Sequence, residues 1–190
     1  MYPYIKHLLD KVLALVLLIA LLPILLLIIL CYLPSFDVFF IQERIGRGEN
    51  QFKIFKFRTL IRKEGKDSER KYFLGNILRS SSMDELPQLI NVIKGEMSMI
   101  GPRPLLPEYL QYYTEVEKKR HTVKPGITGW AQVNGRNLLS WEKRFSLDVY
   151  YVENMSLKLD LLIMVKTILT LFKRGENTEQ ERFYRRNSNS

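Results

Sequence analysis

The chain divides by its pattern of apolar and polar positions. Residues 12–33, VLALVLLIALLPILLLIILCYL, carry no charge and a single hydroxyl, that of Tyr32. At about 1.5 Å per residue the tract matches a hydrocarbon core of about 30 Å, so it predicts a membrane segment. A cleaved secretory signal has a shorter apolar stretch and a small-residue cleavage site, and Pro34-Ser35-Phe36-Asp37 does not resemble one. Pro23 falls at the middle, where it removes a helical hydrogen bond and crowds the preceding turn, predicting a bend. Two geometries follow: a kinked spanning helix, or two half-helices that enter and leave by one face. Lys6, His7 and Lys11 on the short N-terminal side favour the second.

Beyond the tract the period changes. VFFIQERIG and QFKIFKFR flank Gly46-Arg47-Gly48-Glu49-Asn50, predicting a hairpin with a longer loop. Strand alternation puts Lys56 and Arg58 on one face and Phe55 and Phe57 on the other. Residues 61–71 read as a charged loop. A helix is expected to start at Ser82 or Asp84 and to run to Gly95; we favour Asp84 as N-cap over a Ser82/Glu85 capping box, with Pro87 in the first turn. Further helices are expected over 107–120, 138–151 and 156–174. In the last, Leu157, Leu161, Met164, Ile168, Leu171 and Phe172 form a stripe that suits a core or an interface. The chain therefore reads as α+β, mostly helical: a membrane-inserted helix over 1–33, a catalytic domain over 34–174 and a polar tail over 175–190.

Composition narrows the partners. In 190 residues, 29 Lys+Arg against 20 Asp+Glu give +9, with 46% hydrophobic and 12% aromatic residues, too apolar for a disordered polycation. Nearly all of that charge lies beyond the apolar tract, which places the body on the cytoplasmic side by the positive-inside rule. A non-catalytic basic module on lipid or nucleic acid is the rival to an enzyme. Because bases and acids are interleaved and no aromatic-basic module occurs, no nucleic acid is expected. The lone Cys31 and the isolated His7 and His121 exclude a zinc site, and no Gly-rich nucleotide loop of the common kinds is present.

Candidate chemistry centres on Asp84-Glu85. At a helix start an ionised carboxylate can be a nucleophile or a metal ligand, although for such a pair in isolation simple capping is the better explanation. Its neighbours favour phosphate chemistry: Arg79 just upstream, Arg103 locked between two prolines, and Arg136 at the end of the glycine-rich stretch PGITGWAQVNGR. Lys56 and Arg58 are either solvated or further phosphate ligands, and Trp130 and Trp141 either core or interfacial anchors.

The runs FIQERIG, KIFKFRT, LRSSSMDELPQLINVIKGEMSMIGPRPLLPEY, KPGITGWAQVNGR and FSLDVYYVEN, in that order, resemble the bacterial sugar transferase family of monotopic phosphoglycosyl transferases. The resemblance covers residues 6–174 and is to the smallest form of that family. It implies a re-entrant membrane helix, amphipathic helices at the membrane interface, and a place at the cytoplasmic face of the bacterial inner membrane. It also implies transfer of sugar 1-phosphate from a UDP-sugar to undecaprenyl phosphate, with release of UMP. Asp84 would be the nucleophile forming a covalent phosphosugar adduct, Glu85 would assist proton transfer or hold the metal, and Mg²⁺ would be the cofactor at Asp84 and Glu85. Lys56, Arg58, Arg79, Arg103 and Arg136 would hold phosphates. Leu22 before the membrane proline, Leu60 after the FRT run and Ser35-Phe36-Asp37 before the hairpin depart from the common pattern without touching the dyad. Membrane lipid is the other expected partner, and the 161–172 face would equally serve a homo-oligomer.

Overall fold

The computed structural model describes residues 2–32, 37–64, 67–135 and 138–172. The expected tail over 175–190 and part of the hairpin's approach lie outside them. The chain is mostly helical with short two-stranded sheets, and it forms two compact units. The first holds Pro3–Gln42 and Lys53–Met99; the second holds Glu43–Phe52 and the chain from Ile100 onward.

In the first unit, α1 (Tyr2–Ala20) and α2 (Leu22–Tyr32) meet at Leu21 with a bend of 60°. The bend lies just ahead of Pro23, where the missing N–H and the ring displace the preceding turn. The halves are unequal, because the helix begins ten residues before the apolar tract. No single described helix is long and apolar enough to cross a membrane, whereas the bent pair together is.

α1 is inside out. Ile5, Leu8, Leu9, Val12, Leu15, Val16 and Ile19 are exposed, while Lys6, Asp10 and Ala14 are buried. Lys6, expected at the surface as a topology signal, is 4% exposed and pairs with Asp10 at 3.3 Å; Ser98 donates to the same carboxylate. A buried charge survives only when it is paired and hydrogen-bonded, and here one inward-facing turn supplies both.

α2 packs into the unit. Leu25, Ile28 and Tyr32 form one apolar cluster with Phe57 of β2 (Gln51–Phe57) and Leu78 of α3 (Phe73–Ser80). Gly75 lets α3 approach closely, since a Cβ there would stand 2.3 Å from the Thr59 carbonyl oxygen. β1 (Phe39–Ile45) and β2 form the expected hairpin, with Gly48 left-handed in its loop. Asn91 of α4 (Gln88–Lys94) satisfies one edge of β2, accepting from the Phe55 N–H at 3.3 Å and donating to the Lys53 carbonyl at 2.8 Å.

The second unit is built on aromatics. Leu105, Tyr109, Tyr113 and Phe145 form its core, with Trp141 packed against it. The single helix expected over 107–120 is instead a 3₁₀ stretch Pro107–Tyr112, α5 (Glu115–Lys118) and a second 3₁₀ turn Lys119–Thr122. Thr114 and Glu117 form a capping box that starts a new helix and ends the previous stretch. β3 (Ser98–Ile100) and β4 (Gly126–Thr128) make the second sheet, where the chain at Gly101 and Gly126 runs so close that a Cβ on Gly126 would stand 2.0 Å from the Gly101 nitrogen. α6 (Trp130–Val133), α7 (Trp141–Glu153) and α8 (Leu157–Phe172) follow. α8 buries Ile163 and Asp160 and exposes Leu157, Leu161, Leu162, Val165, Ile168 and Leu169, so Leu157, Leu161 and Ile168 of the apolar stripe point outward. Trp130 carries Lys166 over its ring at 4.6 Å.

A buried ion pair ties this unit together. Arg120 donates to Asp148 at 2.8 and 3.1 Å, to the Tyr113 hydroxyl at 3.1 Å and to the Arg103 carbonyl at 2.7 Å. Asp148→Ala should cost about 3–5 kcal/mol, because it leaves a buried guanidinium without its counter-charge; a fall in the thermal midpoint measures it. Beside the pair, burial pushes His121 down to about 3, the Arg120 charge adding to the effect and a hydrogen bond with the Gly46 backbone opposing it. The unfolded chain takes up this proton near the ordinary value of about 6.5, the folded chain only near 3. Stability should therefore be level above about pH 6.5 and fall as pH drops toward 3. Thermal melts of the protein and of His121→Gln across that range should show the acid slope reduced in the variant.

Candidate active site

Asp84 and Glu85 are presented by a tight turn. α3 ends in a serine run, with the Ser81 hydroxyl on the Ile77 carbonyl at 2.7 Å. Ser82 then takes a left-handed conformation, φ 58°, and turns the chain. Met83–Glu85 is a 3₁₀ turn, so the expected α-helix with Asp84 as N-cap is not formed, nor is a Ser82/Glu85 capping box. The backbone closes back over three residues instead of four, with the Glu85 N–H on the Ser82 carbonyl and the Leu86 N–H on the Met83 carbonyl, which winds the turn tighter than an α-helix. α4 begins only at Gln88 and stops, as expected, at left-handed Gly95. Asp84 thus owes its position to the turn and not to an α-helix N-terminus.

On either side of the dyad, Met83 and Leu86 pack against the cluster of Leu25, Ile28, Tyr32, Phe57 and Leu78. The two carboxylates between them are half-buried. This anchoring fixes their backbone to the same apolar mass that receives α2.

Of the bases expected around the dyad, Lys56 reaches it: its Nζ lies 2.7 Å from Glu85 Oε1, both side chains mostly covered. Lys56 is therefore engaged with the protein's own carboxylate. Arg58 is engaged elsewhere, with Asp37 at 2.7 Å and the Phe39 carbonyl at 3.1 Å. Its own carbonyl accepts from the Tyr32 and Tyr72 hydroxyls, which stand 2.6 Å apart. Burial raises the Tyr72 hydroxyl above its ordinary value, with the Arg58 charge pulling the other way. The Asp84 charge acts on the Tyr32 hydroxyl, which places the end of α2 within electrostatic reach of the dyad. Arg79 lies half-buried in the last turn of α3.

Arg103 belongs to the second unit. Between buried Pro102 and Pro104, with its carbonyl held by Arg120, it lines a small cleft with Ile45, Gly46, His121 and Pro125. Arg136 lies outside the described residues. The sequence assigned no role to Tyr32, Tyr72, Asp37 or Asn91. Tyr32 stood out only as the one hydroxyl in an apolar tract; Asp37 and Asn91 carried no local signal.

Among the described residues no three of His, Cys, Asp and Glu come together as a metal cage. Asp84 and Glu85 are hard oxygen donors on one turn, which suits an ion that takes one or two carboxylates and fills the rest of its shell from phosphate and water.

Comparison with known proteins is consistent with this arrangement. The chain is 53% identical over 137 residues to the uncharacterized sugar transferase EpsL of Bacillus subtilis, covering 69% of this chain and 68% of the relative. It is 35% identical over 188 residues to the exopolysaccharide production protein ExoY of Sinorhizobium fredii, covering 86% and 83%. It is 41% identical over 192 residues to a UDP-glucose:undecaprenyl-phosphate glucose-1-phosphate transferase of Xanthomonas campestris, covering 91% of this chain but 39% of that longer protein. Residues 1–174 match the model of the family described as bacterial sugar transferase, and with a half-buried carboxylate pair on its own anchored turn, the chain belongs to that family.

Proposed function

We propose that the protein transfers sugar 1-phosphate from a UDP-sugar to undecaprenyl phosphate, forming an undecaprenyl diphosphosugar and UMP in exopolysaccharide synthesis. The observation that carries the reading is the Asp84-Glu85 turn, with Lys56 on Glu85, built on the cluster that holds α2. A relative's name supplies the substrates: the Xanthomonas protein is a UDP-glucose:undecaprenyl-phosphate glucose-1-phosphate transferase.

In the first step an Asp84 oxygen attacks the sugar-bearing phosphorus; the new P–O bond forms as the bond to the bridging oxygen breaks and UMP leaves. In the second, an oxygen of undecaprenyl phosphate attacks the same phosphorus and returns the Asp84 carboxylate. A carboxylate is a weak nucleophile toward a diphosphate because both are anionic, so nearby cations must offset the repulsion. Lys56 holds Glu85 in place and contributes one such charge. Arg79 and Arg103 are the further candidates for phosphate, as is Arg136. Mg²⁺, held by Asp84 and Glu85 together with substrate oxygens, would neutralise charge on the diphosphate when bound.

The helix pair supports a monotopic placement. A sharp bend, leucine-rich outer faces and an inward-turned ion pair suit a re-entrant insertion in which both ends stay on one side. The basic body then lies at the cytoplasmic face. The outward stripe of α8 suits the membrane interface.

Purified protein given undecaprenyl phosphate, Mg²⁺ and a panel of UDP-sugars should release UMP. Release of UDP would mean that the sugar moves without its phosphate. Asp84→Asn should abolish both turnover and covalent labelling by a UDP-sugar radiolabelled in the β-phosphate; a retained label would place the nucleophile elsewhere. Lys56→Met should lower kcat about 10- to 100-fold with little change in folding, as expected for loss of one positioned charge, and Lys56→Arg should restore part of it.

A further inference from the structure

We propose that Arg58 and Arg62 form a seat for the phosphate monoester of the lipid acceptor, a seat that Asp37 occupies until the lipid displaces it. The inference rests on the phosphoglycosyl transfer reading above and names where its second substrate is held.

Both arginines converge on one oxygen: Asp37 Oδ2 lies 2.7 Å from Arg58 Nε and 3.0 Å from Arg62 Nε. A carboxylate oxygen bridged by two guanidinium groups stands where a phosphate oxygen would. The two arms differ. The Arg58 side chain is 14% exposed and fixed, with Nη2 on the Phe39 carbonyl and its guanidinium 5.8 Å from the Phe40 ring centre. The Arg62 side chain is 73% exposed and Asp37 27% exposed, so one arm and the occupying anion can both be moved from outside. A phosphate monoester brings three acceptor oxygens and nearly two charges against the single charge of Asp37, and it should win that exchange.

The surroundings select a lipid. Phe39, Phe40 and Ile61 are exposed and adjoin the seat, an apolar edge for which a water-soluble nucleotide sugar has no use. The seat is also joined to the dyad. The Arg58 carbonyl is clasped by Tyr32, the last residue of α2, and by Tyr72, and the Tyr32 hydroxyl lies in the field of Asp84.

The test is direct binding to the full chain in zwitterionic nanodiscs, read by native mass spectrometry, with undecaprenyl phosphate as probe. Undecaprenol, phosphatidylglycerol and inorganic phosphate serve as controls. Asp37→Asn removes the competing charge and should tighten undecaprenyl phosphate about threefold or more, the scale of a partly exposed ion pair. Arg62→Gln should weaken it to a similar extent, and neither variant should change binding of undecaprenol. In the UMP assay the KM for acceptor should follow the binding while the KM for UDP-sugar holds. Unchanged acceptor affinity in both variants overturns the seat. So does an equal gain for phosphatidylglycerol or inorganic phosphate in Asp37→Asn, or a shift confined to the UDP-sugar KM. Should Asp37→Asn fail to fold, Arg62→Gln decides alone, since that side chain is exposed. Asp37-dependent binding in a protein that releases no UMP would sink the transferase reading and leave the seat standing.

Discussion

An ion pair turned inward on a helix whose outer side is bare leucine and isoleucine is the constraint on which the first unit rests. In water α1 would turn over, because exposed apolar area is unfavourable by roughly 25 cal/mol per Å² and Lys6 and Asp10 would gain hydration. The observed orientation calls for an apolar surrounding on the outside and a polar partner on the inside, and Ser98 is that partner. Once α1 is set this way, the bend at Leu21 directs α2 into the cluster with Phe57 and Leu78. Presentation of the Asp84-Glu85 turn on that same cluster then depends on the surroundings of the helix pair. The helix pair and the candidate site share one packed core.

The turn itself shows how small a change in backbone bonding matters. An α-helix beginning at Asp84 would have put both carboxylates at the positive end of a dipole. The bonding shortens to three residues, and the carboxylates instead sit between two partly buried side chains, Met83 and Leu86. Left-handed Ser82 completes the reversal. A non-glycine residue in that conformation costs about 1 kcal/mol or more, and such strain is tolerated where neighbouring packing over-determines it.

Much of this was legible in sequence wherever the signal was local. The hairpin followed from alternating apolar residues around Gly46 and Gly48, the end of α4 from Gly95, and the bend from Pro23. The dyad stood out because ordered motifs surrounded it. What was not legible required knowing which residues meet. Lys6 looked like a surface topology charge and is buried, because Asp10, one helical turn away, pairs with it and is itself held by Ser98 across 88 residues. The stretch 107–120 looked like one helix by composition, yet the Thr114 capping box divides it. Lys56 and Arg58 looked alike on a strand, but they are committed to different carboxylates, Glu85 and Asp37. Periodicity reports which face a residue occupies, and only the tertiary fold assigns its partner.

These pairings change the meaning of the surplus charge. A basic chain suggests an open positive field waiting for an anion. Here Lys56 rests on Glu85, Arg58 and Arg62 on Asp37, and Arg120 on Asp148. The last pair is sealed in a core and can only be structural, holding the Arg103 carbonyl in place. The other two are partly open, so an incoming anion must exchange with a carboxylate already present. Exchange discriminates in a way that simple attraction does not. A singly charged headgroup gains little by replacing a carboxylate of equal charge, whereas a phosphate monoester or a diphosphate brings more charge and more acceptor oxygens to the same donors. Internal carboxylates on the cations thereby turn a general affinity for anions into a preference for the highly charged phosphates that the proposed reaction joins.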